Sequence, residues 1–192
     1  MKTSRTEAFS DGVLAIIITI MILEIKVPLG NTLKDLVPIL PKFMTYLLSF
    51  IYVAIYWNNH HHLWQAVGNV NGKILWANLH LLFWLSLFPF TTGWMGENHF
   101  STIPVALYGF ILLMASIAWY ILARIIIIEE GENSKIGRAY KKDTKTKVSM
   151  LLYATGVVMS FVQPIIGIII YIIVAALWFI PDRRIENSLK NQ

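Results

Sequence analysis

The chain has 192 residues, 56% of them hydrophobic and only 14% charged, with a formal charge of +5 at neutral pH. A soluble domain carries roughly 45 to 50% apolar and about 25% charged residues, so this surplus of apolar surface calls for lipid and leaves no room for a separate soluble domain. The basic residues lie between apolar blocks rather than on one face, which argues against a nucleic-acid partner, and the absence of cysteine excludes disulfides, thiol catalysis and thiolate metal sites.

At about 20 residues per crossing, this length fits six helices. The first is predicted over residues 5–27. Arg5, Glu7 and Asp11 intrude on its apolar run and no small-residue cleavage site follows, so it is a retained helix rather than a signal peptide. The second is predicted over 41–62 and the third over 74–95, with Pro89 near its end. The fourth, over 104–128, begins at a proline suited to a first helical turn and, at about 25 residues, implies tilt or an overhang. A charged connector from Glu129 to Lys147 follows. The last apolar block is broken by Gln163 and Pro164 into a hairpin, 148–162 and 165–180, whose arms are short enough that the connector is expected to extend the fifth helix. The expected fold class is therefore all-α, a polytopic membrane protein of six transmembrane helices forming one domain.

Orientation follows from the basic residues between spans. Thirteen fall on the side of the termini: Lys2, Arg5, Lys73, Arg124, six from Lys135 to Lys147, Arg183, Arg184 and Lys190. The other side holds Lys26, Lys34 and Lys42. Both termini are thus expected in the cytoplasm.

The most informative segment is the first helix. Charge at a bilayer centre costs about 2.5 to 3.5 kcal/mol per residue on insertion scales, and Asp11 sits about 9 Å of helix rise beyond Arg5, below the headgroups. At the same depth on the second and third helices fall His60, His61, His62, Asn78 and His80. Polar side chains converging at one level suit a hydrogen-bonded cluster that locks helices together, because unpartnered polar groups in lipid cost several kcal/mol. Consecutive histidines point about 100° apart, unlike the i, i+4 pairs that clamp a metal, so no metal site is assigned. Further along, Ile16, Ile20 and Leu23 recur at i, i+4, i+7, with Thr19 on the same side. Such a stripe fits lipid or helix contact. Around an axis of several copies, it also fits apolar rings that gate ions by expelling water. Trp57, Trp64, Trp76, Trp94 and Trp178 lie near span ends, where interfacial anchoring is the expectation.

Arg5, Phe9, Ser10 and Asp11 form an RxxxFSD pattern that resembles the hallmark of the endolysosomal potassium channel family and its bacterial and archaeal members. The context is similar: Trp57, His60 and His61 at the end of the second helix, Asn78, Leu79, Leu81 and Leu82 opening the third, and Pro89 with Phe90 at its end. The resemblance implies a potassium channel without a TVGYG filter, and no TVGYG occurs here. It implies a homotetramer in the cell membrane of a prokaryote, with the first helix lining the pore, Ile16, Ile20 and Leu23 as its narrowest layers and Thr19 linked to cation preference. It assigns Arg5, Phe9, Ser10 and Asp11, with His60 or His61 and Asn78 or His80 as partners, to a structural lock. Gly12, just after the motif, would allow close helix approach. The implied partners are self, lipid and the permeant potassium ion, with no catalytic residue and no cofactor. The alternative is a small proton-coupled transporter using Asp11 and the histidines.

Overall fold

The structure, a computed structural model, describes residues 3–140 and 143–179. Lys2, Lys141, Lys142, Arg183, Arg184 and Lys190 of the orientation argument, and the end of the predicted sixth helix, lie outside them. Among the described residues all regular structure is helical: α1 Thr3–Leu23, a 3-10 turn Leu33–Ile39 running into α2 Leu40–Gln65, α3 Gly72–Ser86, α4 Phe88–Glu97, α5 Thr102–Glu130, α6 Lys135–Ala139, α7 Thr144–Ser160 and α8 Pro164–Phe179. By length and composition, Thr3–Leu23, Leu33–Gln65, Gly72–Glu97 and Thr102–Glu130 reach membrane-crossing size. The chain is an all-α polytopic membrane protein, completed by the shorter α7–α8 hairpin.

The predicted third helix is two. Pro89 stands in the first turn of α4, where its missing N–H has no helical partner to lose, and the helix is interrupted just before it at Leu87. There the Leu87 N–H reaches Trp84 O at 3.3 Å, a tightened last turn of α3. The first helix also stops at Leu23, four residues before the predicted end, so Glu24 and Lys26 belong to the loop. Side-chain caps fix three α-helix starts: Asn71 accepts from the Ile74 N–H at 3.0 Å for α3, Ser134 from the Gly137 N–H at 3.1 Å for α6, and Asp143 from the Thr146 N–H at 3.3 Å for α7.

α1 packs on α2, α3 and α4; α5 runs between α3 and α7; and α8 closes the far side against α7 and α5. At 29 residues, α5 is about 44 Å long, more than the hydrocarbon layer needs. Its overhanging end has work to do. Glu129 takes Lys73 Nζ at 2.9 Å and Asn71 Nδ2 at 2.6 Å, while Glu130 Oε1 accepts the Gly68 and Asn69 N–H groups at 3.0 and 3.2 Å, so the α2–α3 loop is held from below. The α5–α7–α8 core is keyed by Tyr171, whose ring occupies the space that a Cβ on Gly109 or Gly156 would need.

Candidate functional site

The two faces of α1 differ sharply. Thr6, Ser10, Leu14, Ile17 and Met21, spaced three or four apart, are sealed against α2, α3 and α4. The other face turns away from the bundle, with Ile16 at 59%, Ile20 at 43% and Leu23 at 75% exposure against 1% for Met21. Thr19 lies on this open face and bonds back to Ala15 O at 2.9 Å, which is how a hydroxyl without a neighbour satisfies itself in a helix. Gly12 faces open space, with no atom within 4 Å of an added Cβ.

Toward the N-terminal end, the sealed face carries a polar chain through three helices. Ser10 Oγ donates to Thr6 O at 2.8 Å on α1, and Asn78 Nδ2 of α3 donates to Ser10 Oγ at 3.0 Å. Asn78 Oδ1 meets His60 Nε2 of α2 at 2.8 Å. Because that oxygen only accepts, His60 carries its proton on Nε2, which leaves Nδ1 to accept the Trp64 indole N–H at 3.0 Å. Ser10, Asn78, His60 and Trp64 are all buried.

Two further ties join α1 to α2 beside this chain. Asp11 Oδ1 accepts the Trp57 indole N–H at 3.0 Å, and Glu7 Oε1 lies 2.8 Å from His61 Nδ1. With Nδ1 turned to the carboxylate, His61 Nε2 accepts from Gln65 Nε2 at 2.9 Å, and the Trp57 and His61 rings stack.

Of the predicted lock residues, then, Ser10, His60 and Asn78 meet directly, and Asp11 and His61 stand in adjoining pairs. His80 stays on its own helix, accepting from Trp84 Nε1 at 2.9 Å. Arg5 and Phe9 are exposed on the open face, and among the described residues Arg5 has no ion pair. Sequence reasoning missed Trp57, Trp64 and Glu7 as partners. Trp64 is fully buried rather than an interfacial anchor. The signal was present: a His and a Trp four apart recur at 60 and 64, at 80 and 84, and in reverse at 57 and 61. Among the described residues no three His, Cys, Asp or Glu converge as metal ligands.

A family model described as endosomal/lysosomal potassium channel TMEM175 matches residues 5–89, the stretch that contains the open face of α1 and all of this polar cluster. A protein named potassium channel from Chryseobacterium sp. (strain P1-3) is 58% identical over 99% of both chains. The protein from Danio rerio named endosomal/lysosomal proton channel TMEM175 is 26% identical over 94% of this chain and 36% of its own length. In three dimensions the chain is similar to the crystal structure of a lysosomal potassium-selective channel TMEM175 homolog from Chamaesiphon minutus. That match has a TM-score of 0.82 at 25% identity and covers 94% of this chain and 97% of that one. The chain belongs to the TMEM175 family of channels.

Proposed function

We propose that the chain is one subunit of a potassium channel in which four copies enclose a shared water path, each turning the open face of α1 to the lumen. Ile16, Ile20 and Leu23 then form stacked apolar rings that narrow the path and close it by dewetting, and Thr19 supplies a hydroxyl ring between them. The observation carrying this reading is that this one stripe stays open while the opposite stripe of the same helix is sealed. The name of the 58% identical relative supports the ion. Gly12, with open space beside it, fits a neighbouring copy at close range.

Aliphatic rings cannot replace a potassium ion's hydration shell as carbonyls do, so selectivity rests on width and dehydration cost and is modest. The Ser10–Asn78–His60 chain and the two acid ties act as the lock that holds α1 upright against α2 and α3. Arg5 and Phe9 complete the lock against the adjacent copy. Conduction is passive and needs no cofactor or catalytic residue. The channel sits in a prokaryotic cell membrane with both termini cytoplasmic, a reading supported by the distribution of lysine and arginine.

Planar-bilayer recording of the purified protein under opposed potassium and sodium gradients tests this. The expected result is ATP-independent unitary current that reverses toward the potassium equilibrium potential, and that grows or loses selectivity when Ile16 or Leu23 becomes Asn. Unchanged conductance and selectivity across substitutions at all three rings overturns the pore assignment. Saturable proton-coupled flux without unitary currents would favour the transporter reading built on Asp11 and the histidines. The name of the zebrafish relative favours a second permeant ion, the proton; reversal potentials that follow an imposed pH gradient would establish it.

A further inference from the structure

α2 and α4 run past each other along a seam of small and hydroxylic residues at the end of the bundle away from the N-terminus. Lys42 Nζ pairs with Glu97 Oε1 at 2.8 Å. Next along the seam, Gly96 comes so near α2 that an added Cβ would lie 2.7 Å from Thr45 Oγ1 and 2.9 Å from Lys42 Cα. One turn deeper, the Ser49 and Thr92 hydroxyls meet at 2.6 Å. Ser49 Oγ also donates to Tyr108 OH of α5 at 3.0 Å, and Thr92 Oγ1 approaches Met21 Sδ of α1 at 3.8 Å. Three hydroxyls and a thioether thus bring four helices to one buried point.

Serine and threonine inside an apolar helix ordinarily bond back to their own turn, as Thr19 does. Ser49 and Thr92 instead bond across helices, where no water competes. Thr92 also packs against Met21 Sδ at 3.8 Å, so the seam touches α1 at this residue. Met21 adjoins Ile20 on the opposite face of the same turn and precedes Leu23 by two residues. Through that contact the seam borders the turn of α1 that carries Ile20 and Leu23.

We propose that Ser49, Thr92 and Tyr108 are positioning residues for conduction: their hydroxyl chain, acting through Met21, sets the spacing of the Ile20 and Leu23 rings. The inference rests on α1 lining the pore. Its test uses the cysteine-free background of the chain. An Ile20→Cys variant in a planar bilayer is treated with a methanethiosulfonate reagent, and the rate of current inhibition is measured alone and with Ser49→Ala, Thr92→Val, Thr92→Ser or Tyr108→Phe. Hydrogen bonds between membrane helices average about 0.6 kcal/mol, which is about a threefold change in an equilibrium. The expected result is a shift of about threefold or more with Ser49→Ala, Thr92→Val and Tyr108→Phe, and a rate restored by Thr92→Ser, which keeps the hydroxyl. Equal rates in every background overturn the hydroxyl chain and leave the pore reading standing. If one variant fails to assemble, the others carry the same comparison. An Ile20→Cys channel whose current the reagent leaves untouched overturns the pore reading, and this inference with it.

Discussion

α1 and α8 both leave one apolar face uncovered, yet the two faces are built differently. That of α8 is apolar from end to end: Ile165, Ile169, Ile172 and Ile173, with Leu177 and Phe179. It asks nothing of its surroundings beyond hydrocarbon, and lipid tails meet that demand. That of α1 mixes Ile16, Ile20 and Leu23 with Arg5, Gly12 and Thr19, so it offers a charge, a gap and a hydroxyl that lipid tails leave unused. The buried sides differ in extent. Tyr171 of α8 fills the space beside Gly109 and Gly156 and its hydroxyl meets Ser160 Oγ at 3.3 Å and Val105 O at 3.4 Å, whereas Ser10 of α1 joins a chain of side chains that runs through Asn78 to His60. On the proposed reading α1 borders the ion path and has to be aimed, and the side-chain chain across three helices supplies that aim.

The sharpest way to break this contrast is to place the same polar residue on each open face. Ile16→Asn is expected to raise unitary current or open probability by about tenfold, the effect of about 1.4 kcal/mol less dewetting cost, while Ile169→Asn leaves conductance unchanged; bilayer recording of both variants decides it. Equal effects at the two sites would erase the distinction between the faces.

Next in size come the buried sides. Gly109→Val drives a branched side chain into the Tyr171 ring, and overpacking of this kind costs about 1 to 3 kcal/mol. Thermal unfolding in detergent is expected to register it, with potassium over sodium selectivity unchanged in the channels that assemble. Asn78→Leu removes the link between Ser10 and His60 and leaves the His60 Nε2–H without its acceptor in apolar surroundings, at about 1 to 3 kcal/mol, while Ser10 keeps its bond to Thr6 O. Its expected signature is different: gating changes together with stability, since α1 loses its aim. The smallest effect belongs to Lys42→Met. Its partner Glu97 is half exposed, and exposed ion pairs contribute less than about 1 kcal/mol, so a melting shift near the limit of detection is expected, reduced further by salt.

Much of this was legible in the residues themselves. Apolar blocks separated by charged or proline-bearing segments mark the crossings, because bilayer thickness converts directly into a number of helical residues. The RxxxFSD pattern marked the start of α1, and the i, i+4, i+7 stripe ran along its open face. The lock was legible only as a set. His60, His61, His62 and His80 look alike in sequence, and helix rotation decides among them: His60 turns inward to Asn78, His61 sideways to Glu7, and His80 remains with Trp84.

What the sequence by itself determined is therefore the solvent of this protein, its class, and which turn of α1 carries charge; these depend on composition and on distance along one chain. Tertiary structure alone decided which polar atoms meet, where the third span is interrupted before Pro89, and that Ser49, Thr92, Tyr108 and Met21 share one point. Those facts depend on how closely and at what angle separate helices pass. A period of 3.6 residues fixes a face but leaves its partner open.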